Sequence, residues 1–263
     1  KGENDLSPEE ISTLQRMIKI YKNVVLVINI GSSLDMSFLD KTPGLGAVVY
    51  FCQQGTEGGH AFADIVSGKV NPSGKLTDTW AKKYSDIPFS DEYSYLNGNL
   101  KNEYYKEGLL VGYRYFETIP GAREKVNYPF GFGLSYTTFS MEADGFSYAE
   151  NQVSFVMKVT NTGSVAGKEV VQVYAKAPLG KLGKPARVLI DFKKTKELKP
   201  GECAELAFAI PTSVFASYNE VSTAGMPVGW VLEAGEYTIY AGGNVRDAYA
   251  VGSFTLDELQ IVE

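Results

Sequence analysis

Along Asn127-Tyr-Pro-Phe-Gly-Phe-Gly-Leu-Ser-Tyr-Thr-Thr-Phe139 aromatic residues and glycines alternate, a pattern that an ordinary turn does not require. The periodicity of the chain changes across this stretch. Upstream, helical and strand signals take turns; downstream, short alternating segments separated by turns follow one another. Two differently built halves are predicted, with residues 127–139 as the segment between them.

The upstream half opens with Leu6-Ser-Pro-Glu-Glu10. Ser7 is placed to cap a helix, Pro8 suits its first position, and Glu10 completes a capping box. Ile11, Leu14, Ile18 and Tyr21 then repeat at helical spacing. Asn23-Val-Val-Leu-Val-Ile-Asn-Ile-Gly31 is a continuous β-branched run ending in glycine, the pattern of a parallel strand buried on both faces. Leu45-Gly-Ala-Val-Val-Tyr-Phe-Cys52 is a second such run. After it come a glycine-rich turn, Gly55–Gly59, and a short amphipathic helix, His60–Val66. This βαβ rhythm predicts a parallel α/β sheet. Two or three strands cannot bury enough surface to stand as a complete α/β domain, so the half reads as incomplete. Residues 84–127 lack periodicity and read as a long ordered loop packed on something else.

From about Met141 the period becomes two. Val153–Val159, Glu169–Ala175, Arg187–Phe192, Cys203–Ile210, Gly229–Leu232 and Gly235–Gly242 are strand candidates, with turns such as Asn161-Thr-Gly163 and Lys199-Pro-Gly-Glu202 between them. About seven strands in this length predict a β-sandwich of the immunoglobulin or fibronectin type III kind. The domains expected are 1–126, an incomplete parallel α/β sandwich with a long loop; 127–139, the connecting segment; and 140–263, the β-sandwich.

Charge and composition narrow the partners. The 263 residues carry a net charge of −6, which argues against nucleic acid or an anionic membrane, because both reward clustered positive charge. There is no run of about 18 apolar residues, so no membrane-spanning helix is expected. No secretion leader opens the sequence as given, which leans towards a cytoplasmic setting. Cys52 and Cys203 are too few for a disulfide framework and read as free, buried thiols. One histidine, His60, leaves little material for a metal cluster or a Ser-His-Asp triad, and no cofactor is called for.

Each candidate site residue has a structural reading beside the functional one. Gly55-Thr-Glu-Gly-Gly59 lacks the lysine of a phosphate-binding loop and the three-glycine dinucleotide pattern, so a tight strand-to-helix turn is the better reading. Glu57 either faces a ligand at the carboxyl end of a parallel strand or bonds turn amides. His60 is either a general base or a capping and packing residue. Trp80 either stacks on a sugar or packs between domains. Tyr104, Tyr105, Glu107, Tyr113 and Arg114 either line a carbohydrate cleft or include a buried Glu107–Arg114 pair that fixes the loop.

Four stretches taken in order carry a resemblance: Gly55-Thr-Glu-Gly-Gly-His-Ala-Phe-Ala-Asp64, Gly68-Lys-Val-Asn-Pro-Ser-Gly-Lys-Leu76, Glu107-Gly-Leu-Leu-Val-Gly-Tyr-Arg-Tyr-Phe116 and Tyr128-Pro-Phe-Gly-Phe-Gly-Leu-Ser-Tyr136. Together they resemble glycoside hydrolase family 3, the β-glucosidase family. Asn161-Thr-Gly-Ser-Val-Ala-Gly-Lys-Glu169 and Leu198-Lys-Pro-Gly-Glu202 are similar to the fibronectin type III-like module of the same enzymes.

The resemblance implies a retaining exo-glycosidase acting on terminal β-linked sugars. It has three parts: a barrel with an aspartate nucleophile, an α/β sandwich with the acid/base glutamate, and the fibronectin-type domain. Retaining chemistry needs its two carboxyl groups about 5–5.5 Å apart. In the family the acid/base glutamate lies on a loop just before a stretch resembling Lys1-Gly-Glu-Asn4, and the barrel is not in this sequence. Glu3 is the nearest carboxylate, but it corresponds to an acidic residue downstream of the acid/base. The resemblance therefore carries over no catalytic, substrate-binding or metal residue. The implied partners are a barrel domain or chain, which the family places on either side, and a carbohydrate substrate. The competing reading is a stand-alone carbohydrate-binding or adhesion module whose binding face is the aromatic loop.

Overall fold

The computed structural model describes residues 4–93, 98–221 and 226–262, which form two compact units. The first consists of Lys1–Val70, Asp78–Gly108 and Gly121–Tyr128; the second of Asn71–Thr77, Leu109–Pro120 and Pro129–Glu263. Two stretches from the region 1–126 thus pack with the sandwich unit. The cause is hydrogen bonding: Asn71 Nδ2 donates to Ala166 O and the Leu189 amide donates to the Tyr113 hydroxyl.

In the first unit, α1 (Pro8–Ile20) begins as its capping residues dictate. Ser7 Oγ accepts from the Glu10 amide at 3.2 Å, and Glu10 Oε2 accepts from the Ser7 amide at 2.8 Å. The strands β1 (Val25–Ile28) and β2 (Ala47–Tyr50) pair in parallel, Val25 opposite Ala47, with no third strand beside them among the described residues. The expectation of strands buried on both faces is corrected here: Val25 and Val27 are 48% and 37% exposed, and only Ile28 of β1 is buried. A sheet of two strands leaves each one an edge. The helix α2 (Gly58–Val66) follows β2 through the glycine turn. A short antiparallel pair, β3 (Trp80–Ala81) with β4 (Val126–Tyr128), closes the unit.

The second unit is a β-sandwich. One sheet has the order β5-β6-β9, built from β5 (Phe139–Ala149), β6 (Gln152–Asn161) and β9 (Cys203–Pro211). The other has the order β13-β12-β7-β8, from β7 (Val170–Lys176), β8 (Val188–Lys194), β12 (Gly235–Gly242) and β13 (Tyr249–Leu256). All these pairs are antiparallel. Alternation puts Val153, Phe155, Met157 and Val159 of β6 in one core with Val171 and Val173 of β7 and Tyr237 and Ile239 of β12, as a period of two requires. A small third sheet, β10-β11-β14, is made of β10 (Ser217–Asn219), β11 (Gly229–Leu232) and β14 (Gln260–Val262).

On its other face β7 presents Tyr174, which forms a second buried cluster with Val245 and Ala248. Tyr113, at the start of α3 (Tyr113–Thr118), and Phe130 pack against that cluster. Part of the presumed loop is therefore a helix. The whole is an incomplete parallel α/β unit and a fibronectin type III-like β-sandwich.

Candidate functional site

The carboxyl ends of β1 and β2 are where an open parallel sheet presents ligand-facing groups. Asn29 Oδ1 accepts from the Gln53 amide at 3.0 Å, tying the two strand ends together. Cys52 and Gln53 both have positive φ, 49° and 51°, a conformation uncommon for residues other than glycine. The Tyr50 hydroxyl donates to Cys52 Sγ at 3.3 Å, and this bond, with burial, raises the phenol to about 12. Both cysteines are free and exposed, so their expected burial is corrected. Cys52 sits past the end of β2, whose one strand neighbour among the described residues is β1.

Gly58 has a steric role in the turn, since a Cβ there would lie 2.8 Å from that of Gln54 and 3.3 Å from the Phe51 ring. The Glu57 carbonyl accepts from the Ala61 amide at 3.1 Å, but its side chain makes no cap hydrogen bond to the helix it precedes. Instead its Oε2 meets His60 Nδ1 at 2.7 Å, with both side chains more than 80% exposed. A surface contact of this kind adds little to stability and does not form a sheltered catalytic pair.

Trp80 is only 3% exposed and meets the Tyr50 ring edge-on, centroids 5.0 Å apart. It packs within its own unit and does not offer a face to a sugar. The aromatic loop divides. Tyr104 and Tyr105 are exposed, whereas Glu107 accepts from the Tyr93 hydroxyl at 2.7 Å. That hydrogen bond is the main reason the Glu107 carboxyl lies below its usual range. Burial and the same bond push Tyr93 up to about 12. Tyr113 is structural, its ring 4.5 Å from Phe130 and its hydroxyl bonded to the Leu189 amide. The Arg114 amide bonds Val111 O.

A pocket in the first unit is lined by Asn4, Ser33, Leu34, Asp35, Ala81, Lys83, Tyr84 and Ile87. Its volume of about 10 Å³ is room for one water. Asp35 is the single carboxylate in that lining, and its oxygens accept from the amides of Ser37 and Tyr84. Burial works to raise its pKa, but these hydrogen bonds outweigh it and the value is lowered. Such a group pins a turn and, among the described residues lining the pocket, has no partner carboxylate for double displacement. Among the described residues there is no metal-binding cluster and no helix long and apolar enough to cross a membrane. Glu3 lies outside the described residues.

The glycine-rich sequence stretches fasten the sandwich unit. The Leu76 amide donates to Phe132 O and the Gly131 amide to Leu76 O, each at 2.8 Å. Lys75 reaches Glu169 at 2.8 Å and Gly133 O at 3.0 Å. A Cβ on Gly133 would lie 2.1 Å from Gly74 O, so this approach of two backbones requires glycine. Sequence reasoning placed Asn161 only at the start of a turn and gave no role to the Lys184–Glu233 pair. Asn161 is fully buried and bonds Thr137, Gly163, Val165 and Leu198. Its place at the end of a strand, before Thr-Gly, was the available signal.

Two family models match the chain. The model for the glycosyl hydrolase family 3 C-terminal domain covers residues 2–136, and that for a fibronectin type III-like domain covers residues 169–245. A β-glucosidase of Ruminococcus albus is 42% identical over 259 residues, 98% of this chain and 26% of the relative. β-Glucosidase A of Butyrivibrio fibrisolvens is 42% identical over 89% of this chain and 30% of its own length. Among solved structures, a β-glucosidase from Paenibacillus barengoltzii superposes with a TM-score of 0.92 at 39% identity, over all of this chain and 29% of that one. β-Glucosidase 3B of Thermotoga neapolitana gives 0.87 at 36% identity, over 99% and 35%. The chain thus spans roughly a quarter to a third of the length of these relatives.

Proposed function

The chain belongs to glycoside hydrolase family 3, and from that premise we propose that it is the non-barrel portion of a retaining β-glucosidase-like exo-glycosidase, braces the substrate cleft and is hydrolytically silent alone. In linear terms, residues 1–126 are the later part of the α/β domain, 127–139 the connecting segment and 140–263 the fibronectin-type sandwich. The relatives' names supply the reaction class, and terminal β-linked sugars are the substrates it implies.

The observation that carries the reading is the state of Asp35. Among the described residues it is the one carboxylate lining the pocket, and amides occupy it, whereas retaining hydrolysis needs two opposed carboxyl groups about 5–5.5 Å apart. The exposed Val25 and Val27 on a two-stranded parallel sheet support a partner region that covers them, since parallel sheets are ordinarily covered on both faces. That region would carry the barrel and its nucleophilic aspartate.

The test is an aryl β-glucoside assay on the purified 263-residue chain, alone and mixed with the remaining portion of a family member. No aryl alcohol is expected from the chain alone, and release is expected on mixing. Turnover by the chain alone, abolished by Glu3→Gln, defeats the proposal.

A further inference from the structure

The small sheet of the second unit displays two aromatic rings to solvent. Tyr218 on β10 stands directly opposite Trp230 on β11, and the two are 51% and 53% exposed. Their centroids are 5.4 Å apart with the planes at 72°, so one ring stands beside the other and the pair forms a two-walled corner. The residues that follow them along each strand, Asn219 and Val231, are buried. Asn219 Nδ2 donates to Pro227 O at 2.8 Å and to Met226 O at 3.4 Å, which ties the end of β10 to the segment leading into β11, while the strands themselves pair antiparallel. The aromatic groups are thus mounted on paired backbone before any ligand arrives, and ordering them on binding costs little.

We propose that this corner is a carbohydrate-contact site that takes a glucosyl unit of a β-linked gluco-oligosaccharide. The choice of sugar rests on the glycosidase reading above; the site itself rests on the geometry. The C–H-bearing face of a pyranose is an apolar plate rimmed by hydroxyls. The Trp230 and Tyr218 rings supply the matching apolar walls, and indole and phenol also carry polar ends. The Tyr218 hydroxyl and the exposed carboxylate of Glu220, just past the strand, supply partners for sugar hydroxyls. Charge agrees: a negative side chain at the rim of a chain with net charge −6 disfavours anionic partners, whereas an uncharged polyol pays no such penalty.

The chain has two tryptophans, of which Trp80 is buried and Trp230 exposed. Fluorescence therefore separates site from fold. Titrating the 263-residue chain with cellohexaose should shift the Trp230 emission saturably and shield it from acrylamide. Trp230→Ala should remove that response while leaving native Trp80 emission, and Tyr218→Ala should weaken binding about tenfold. A saturable calorimetric signal for cellohexaose that persists in Trp230→Ala overturns the assignment. So does the absence of binding at millimolar sugar, or shielding of Trp230 that grows with protein concentration without sugar and marks the corner as a contact between copies. Because the readout needs no turnover, failure here leaves the hydrolase reading standing, and failure of reconstituted hydrolysis leaves this result unaffected.

Discussion

Glu233 shows how one side chain governs a loop. Its Oε1 accepts from the Lys181 amide, its Oε2 lies 3.5 Å from Lys184 Nζ, and its carbonyl accepts from the Tyr237 hydroxyl. Both charged side chains are less than 10% exposed. A buried pair is weak evidence of net stability, but breaking it strands a charge. Glu233→Ala should lower unfolding free energy by about 3 kcal/mol in urea titrations, and Glu233→Leu with Lys184→Met should recover most of that. Burial lowers the Lys184 pKa, and attraction to Glu233 offsets this incompletely. The native state therefore binds that proton less tightly than the unfolded chain does, and stability should rise as pH climbs from neutral towards the ordinary value of about 10.5. Urea midpoints at pH 7 and pH 9.5 should show this increment in the parent and not in Lys184→Met.

At the scale of elements, local chemistry was readable and spatial partnership was not. Ser7-Pro8-Glu9-Glu10 specified the start of α1 because a capping box is contained in four consecutive residues. Ser7→Ala should cost about 1 kcal/mol, read as a lower urea midpoint for the first unit. The strands β6, β7, β8, β9, β11 and β12 coincide with candidates drawn from a period of two, within a residue or two. The flanking β5 and β13 were not drawn, because Asp144-Gly145 and Gly252 interrupt the β-forming pattern. The first is local, a bulge at Asp144–Ser147 in which Gly145 has φ 66°; the second is tertiary. A Cβ on Gly252 would lie 2.3 Å from the Phe146 ring, so the glycine of one strand makes room for the aromatic ring of the other. Gly252→Ala should destabilise the sandwich by roughly 1–3 kcal/mol, and calorimetry showing no loss would mean that Phe146 moves aside freely. The candidate site was legible only as a set of alternatives, since the exposure of His60, the burial of Trp80 and the engagement of Glu107 by Tyr93 depend on residues distant in sequence.

Over the whole molecule, the second unit is not one continuous length of chain. Asn71–Thr77 and Leu109–Pro120 belong to it, and they bring the Lys75–Glu169 ion pair, the Asn71 hydrogen bonds and the Tyr113 packing. A polypeptide of residues 140–263 alone should therefore melt roughly 10 °C or more below the second unit's transition in the intact chain. An unchanged midpoint in differential scanning calorimetry would show those segments to be passengers. The same threading has a bearing on biosynthesis. A ribosome releases residues 71–77 and 109–120 well before the last sandwich strand, so both must stay unsettled while the earlier unit can already close at Tyr128. During that interval the nascent chain displays Tyr113, Phe116 and Phe130 without their eventual covering, which is the period in which a chaperone has most to offer it.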